Sequence, residues 1–136
     1  MLKIRTAQEE SLADEDFVRR LIAHIQARTP KATEKLTYHQ LRAVVRHGIA
    51  VARGYDLRSE RDLAAFTFDM LAVNPQFHRQ REIHGILKNP DVPVAERMDR
   101  ATAAPDESWE EAAKMTDAAE YWQAVLDREP EPGGAP

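Results

Sequence analysis

Cysteine is absent from the 136 residues, which removes disulfides, thiolate metal sites and cysteine nucleophiles together and suits a reducing compartment. Glycine is scarce at five residues, and two of them, Gly133 and Gly134, fall near the end of the chain. Too few remain to build a phosphate-cradling loop, and neither a Walker nor a dinucleotide fingerprint occurs. Aromatic residues make up only 7%. No run nears the ~18 apolar residues a membrane helix needs, and Met1-Leu2-Lys3-Ile4-Arg5 meets Gln8-Glu9-Glu10 without a signal-peptide core. These absences predict a cytoplasmic protein without membrane association.

What is present is helical patterning. Apolar residues recur at spacings of three and four, with no sustained strict alternation, and the chain reads as all-α. Phe17, Leu21 and Ile25, with Val18 and Ile22 beside them, predict a helix over 14–28 whose acids Asp14, Glu15 and Asp16 suit its positive end. Thr37 and Gln40 have the form of a capping box ahead of Leu41, Val44, Val45 and Ile49, with Gly54 expected as a left-handed stop. Ser59 then caps a third helix carrying Leu63, Phe66, Met70 and Leu71. The short link between them predicts an antiparallel helical hairpin over about 37–73.

Asn74-Pro75 ends that hairpin. A fourth helix is expected over 77–88, a fifth begins at Pro93, and a last one runs from Ser108 to near Arg128. The expectation is therefore a single small bundle of five or six short helices, spanning 13–128. Residues 1–12 are expected as a flexible N-terminal arm and 129–136, rich in Glu, Pro and Gly, as a disordered tail.

Charge is segregated along the chain. Residues 1–18 carry two basic against five acidic side chains, residues 19–90 thirteen against six, and residues 91–136 four against twelve. Arg42, Arg46 and Arg53 keep spacings of four and seven and share one side of the second helix. Three readings are open for this row: a solvated face, or one beside the acidic last helix; a docking surface for an acidic protein; or a nucleic-acid surface. Against the last stand a sequence pI of about 5.7, no basic run beyond two residues and no aromatic interleaving.

Few residues invite chemistry. His24, His39, His47, His78 and His84 form no i, i+4 pair and no His-Glu-x-x-His, so no metal or other cofactor is expected. His47-Gly48 and His84-Gly85 are expected to mark close helix crossings. Ser11, Ser59 and Ser108 sit where caps or loops explain them, and Glu110 and Glu111 lie at a helix start. The reading is that of a non-enzyme. Trp109, Tyr121 and Trp122 remain, either as core anchors closing the bundle or as an aromatic hot spot for a partner.

The stretch Arg46-His47-Gly48-Ile49 through Gly54-Tyr55-Asp56-Leu57-Arg58-Ser59-Glu60-Arg61-Asp62-Leu63, continued by Asn74-Pro75-Gln76-Phe77 and Ile86-Leu87-Lys88-Asn89-Pro90, resembles a family of small helical bacterial proteins encoded beside type VI secretion spike and effector genes. The resemblance spans about residues 17–102 and rests on packing and capping positions. It implies an accessory role, as an adaptor, chaperone or immunity-like protein binding a secreted effector or spike component, and it carries over no catalytic residue. The chain departs from the pattern at Asn74-Pro75-Gln76, where glycine is usual, and in its Trp-containing acidic end. The combined expectation is a protein-binding accessory protein using Arg42, Arg46, Arg53, Trp109, Tyr121 and Trp122, with a nucleic-acid-binding regulator as the alternative.

Overall fold

The structure is a computed structural model that describes the backbone of residues 7–128 and the side chains of residues 14–128. Among them are eight α-helices and no strand: α1 Ala7–Arg28, α2 Pro30–Thr33, α3 Tyr38–Arg53, α4 Glu60–Ala72, α5 Arg81–Lys88, α6 Val94–Thr102, α7 Asp106–Ala112 and α8 Ala118–Asp127. A 3-10 turn, Phe77–Arg79, precedes α5. The chain is an all-α bundle with more and shorter helices than the five or six expected.

The hairpin of α3 and α4 is the centre of the bundle, with α1 and α8 packed on α3 and α6 on α4. Local chemistry explains its boundaries. The Thr37 side chain accepts from the Gln40 amide while the Gln40 side chain accepts from Thr37 N–H, the reciprocal box that satisfies two orphan donors of α3. Ser59 accepts from Asp62 N–H at 3.1 Å and opens α4. Phe66, Phe77, Leu41, Met70, Ile83 and Leu87 are fully buried at the core's centre.

Several boundaries differ from the sequence expectation. Helix α1 begins at Ala7, so residues 7–12, expected as a flexible arm, continue the helix. Their good helix formers and two glutamates near a positive helix end account for this. Residues 1–6 and the tail 129–136 lie outside the described residues. Pro30 follows the end of α1 and opens the single turn of α2.

Gly54 is right-handed, with φ −63° and ψ −21°. The left-handed residue is Asp56, at φ 67°. Asp56 N–H donates to Arg53 O at 2.9 Å and Leu57 N–H to Ala52 O at 3.4 Å, the pairing of a Schellman stop in which a short polar residue takes the place of glycine. Leu57 is then fully buried beneath the stop.

The helix expected over 77–88 is interrupted at Gln80, whose extended backbone and side-chain bond to Ile83 N–H make it the N-cap of α5. The last helix is likewise divided into α7 and α8. Asn74 causes this from across the fold: its Nδ2 donates to the carbonyls of Ala113 at 3.2 Å and Thr116 at 2.9 Å, holding the chain open where helix would continue. Asp117 then caps α8 through Glu120 N–H.

Gly48 and Gly85 also part company. A Cβ on Gly48 would meet Thr67 Cγ2 at 2.8 Å, so glycine is what lets α3 approach α4. A Cβ on Gly85 would meet nothing within 4 Å, and that glycine marks no crossing.

Candidate functional site

The arginine row of α3 faces α1. Glu15 takes Arg42 in a two-pronged pair, at 2.5 Å to Nη2 and 3.2 Å to Nε, and also binds Arg46 at 2.7 Å. Asp14 lies 3.3 Å from Arg53. The hydrogen bond from Arg42, with both arginine charges, holds the Glu15 carboxyl below its ordinary range. Opposite charge blocks do meet, but the acids on this row come from α1 rather than from the last helix. Arg46 and Arg53 also border a small cleft of about 140 Å³ between α1 and α3, floored by Phe17, Val18 and Ile49.

The three aromatics of the acidic end are set against the body of the protein. Trp109 stacks on Phe77 with centroids 5.5 Å apart and planes 18° apart, and its Nε1 donates to Ala101 O at 3.1 Å. Tyr121 places its hydroxyl 2.7 Å from His47 Nε2, and Trp122 meets the same imidazole edge-on at 6.0 Å. These contacts fasten α7 to the Phe77 turn and α8 to α3. Burial pushes the Tyr121 phenol above its usual range.

Two histidines converge on one phenol. Tyr55 Oη lies 2.8 Å from His78 Nδ1 and 3.1 Å from His84 Nδ1, and His84 Nδ1 is 3.2 Å from the His78 carbonyl. A carbonyl can only accept, so His84 Nδ1 donates in that contact, and the Tyr55 hydroxyl, beside His78 Nδ1, also donates to the His78 carbonyl at 3.4 Å. The other ring nitrogen of His78, Nε2, is buried and has no hydrogen-bond partner among the described residues. Burial drives the His78 pKa down to about 4. Among the described residues no carboxylate joins this cluster. Among the described residues no group of three or more His, Asp or Glu is placed to hold a metal ion.

The surface that sequence reasoning missed is the outer side of α4. Leu63, Phe66, Thr67 and Met70 are buried in the core, while Ala64, Ala65, Phe68 and Leu71 are only partly buried, so the helix is apolar on both sides. A helix apolar all round is normally covered all round. Here its outer side floors a groove of about 400 Å³, closed by His24 and Arg28 of α1 and Thr102 of α6. A second depression of about 390 Å³ continues it past Arg28 to Pro30, Leu71 and Ala72.

Asp69 stands in this groove, half-buried. Desolvation alone pushes its carboxyl up to about 7. The neighbouring cations are engaged elsewhere. Arg28 lies over the Phe68 ring at 5.2 Å, and Arg61 binds Asp99 at 2.6 Å. The signal in the sequence was a helix whose second side is also apolar, interrupted by one acid.

No helix is long and apolar enough to cross a membrane among the described residues. In comparisons with protein-family models, curated proteins and solved structures, nothing matches this chain.

Proposed function

We propose that this chain is a non-catalytic accessory protein that works by binding another protein, in the manner of an adaptor, chaperone or immunity protein of a bacterial secretion or effector system. The observation that carries the reading is the outer side of α4, where Ala64, Ala65, Phe68 and Leu71 make an apolar strip about two turns long, left open between α1 and α6. Burying such a face is worth roughly 25 cal/mol per Å² of apolar surface, and a partner helix supplies the missing cover.

The arginine row supports a structural role before a recognition role. Arg42 and Arg46 already bind Glu15, and Arg53 lies beside Asp14. A nucleic-acid phosphate would have to displace those carboxylates, which counts against the regulator alternative.

The test is affinity capture with the tagged full chain from its native host, followed by size-exclusion chromatography. One protein co-eluting in stoichiometric amount is expected, and Ala65→Glu, which places a charge in the groove, should abolish it while Ala65→Ser retains it. No stoichiometric partner, together with DNA or RNA binding at ~50 mM salt that falls steeply with added salt, would replace this reading with the regulator alternative.

A further inference from the structure

The α4 groove states something about its occupant. Its floor is largely small or flat: Ala64, Ala65 and the Phe68 ring, then Leu71 and Ala72 along the same side. At 1.5 Å per residue the stretch of α4 that lines the two depressions, Arg61 to Ala72, gives a track about 18 Å long, the length of about three turns of a partner helix.

Two oxygen acceptors face this track, beside the Arg28, Arg61 and His24 side chains. Thr102 spends its hydroxyl proton on Met98 O at 2.9 Å, so only its lone pairs remain to face the groove. The Asp69 carboxylate accepts from nothing among the described residues. The groove therefore offers acceptors that lack donors. Its own cations do not meet that need, because Arg61 is clamped on Asp99 and also lies 3.7 Å from Asp62, and Arg28 is held over Phe68.

We infer that the partner covers α4 with an amphipathic helix carrying a lysine or arginine that binds the Asp69 carboxylate, between small apolar residues that pack on Ala64, Ala65 and Phe68. A half-buried carboxylate without a donor is unfavourable in the free protein, and a cation delivered with its apolar surroundings removes that penalty on binding. An anionic partner would find Arg28 but would leave Asp69 unmatched and repelled. The inference rests on the protein-binding reading above and adds the chemistry of the partner to it.

The experiment places the photo-crosslinking residue p-benzoylphenylalanine at exposed position 72 of the full chain, expressed in the native host, with the cross-linked segment mapped by mass spectrometry. The expected product joins position 72 to a helical segment of another protein that has a lysine or arginine within a turn or two of the cross-link. Asp69→Lys should lower the yield about tenfold, and exchanging that partner residue for glutamate should restore it, as charge complementarity requires. Asp69→Asn, an isosteric change expected to fold at least as well, should lower the yield too, and Asp69→Glu should retain it.

A mapped segment without a basic residue, or a yield indifferent to Asp69→Lys and Asp69→Asn, overturns the inference while leaving protein binding in place. Cross-linking to a second copy of this chain, or to nucleic acid, overturns the choice of partner. No cross-link to any macromolecule from position 72 overturns both the inference and the protein-binding reading of this face.

Discussion

The Tyr55 hydroxyl and Nδ1 of His78 are 2.8 Å apart, in a buried site whose desolvation favours the neutral imidazole. With the His78 pKa lowered to about 4 against an unfolded value near 6.5, the neutral ring favours the fold fully above pH 6.5. That contribution is lost as pH falls toward 4, because the unfolded chain takes up the proton and the folded one resists it. Thermal unfolding followed from pH 7 to pH 4 should show stability falling by about 2 kcal/mol from this group. In His78→Gln, which keeps an acceptor for Tyr55, the slope over this range should be shallower. Tyr55→Phe should cost about 1–2 kcal/mol by leaving His78 Nδ1 without its hydrogen-bond partner.

Asp69 has the opposite dependence. Its carboxyl titrates near 7 in the fold and near 3.9 when unfolded, so the folded state holds the proton more tightly. The relative stability is greatest below about pH 4 and is lost as pH rises through 7. Asp69→Asn should therefore stabilise the protein at pH 8 by about 1–2 kcal/mol, a value reduced for partial solvation, and by little at pH 5. Paired melting curves at the two pH values measure the difference, and equal shifts at both would contradict it.

Gly48 and Gly85 should respond to alanine with opposite signs. Gly48→Ala drives a methyl into Thr67 at 2.8 Å and should cost about 1–3 kcal/mol. Thr67→Ala in the same chain should recover part of that loss by vacating the space. Gly85→Ala fills open space on a helix and should gain about 0.5–1 kcal/mol. Chemical denaturation of the four proteins reads both effects.

Trp109 ties the C-terminal helices to the core, so removing them should harm folding. A chain ended after Ala104 loses the Trp109 stack on Phe77 and the buried Ala112 and Val125. It also strips Asn74 of its two carbonyl partners. Loss of cooperative unfolding or a large drop in melting temperature is expected. Trp109→Ala alone should cost about 3–5 kcal/mol. A truncated chain that kept its full helical signal and melting temperature would show α7 and α8 to be dispensable to the fold.

The amino-acid sequence determined by itself whatever is decided within a turn of helix. Thr37 and Gln40 set the start of α3, Ser59 that of α4, and the spacing of Leu41, Val45 and Ile49 chose helix over strand, because caps and periodicity are written among residues three and four apart. Only the tertiary structure decided what distant residues did to one another. Asn74 split the last helix from some forty residues away, α1 rather than the acidic end supplied the carboxylates for Arg42 and Arg46, and Gly48 met Thr67 while Gly85 met nothing. Tertiary packing also settled which side of α4 remained open around Asp69. A helix apolar on two sides gives no local sign of which side its neighbours will cover, since that depends on how α1, α3 and α6 fill the space around it.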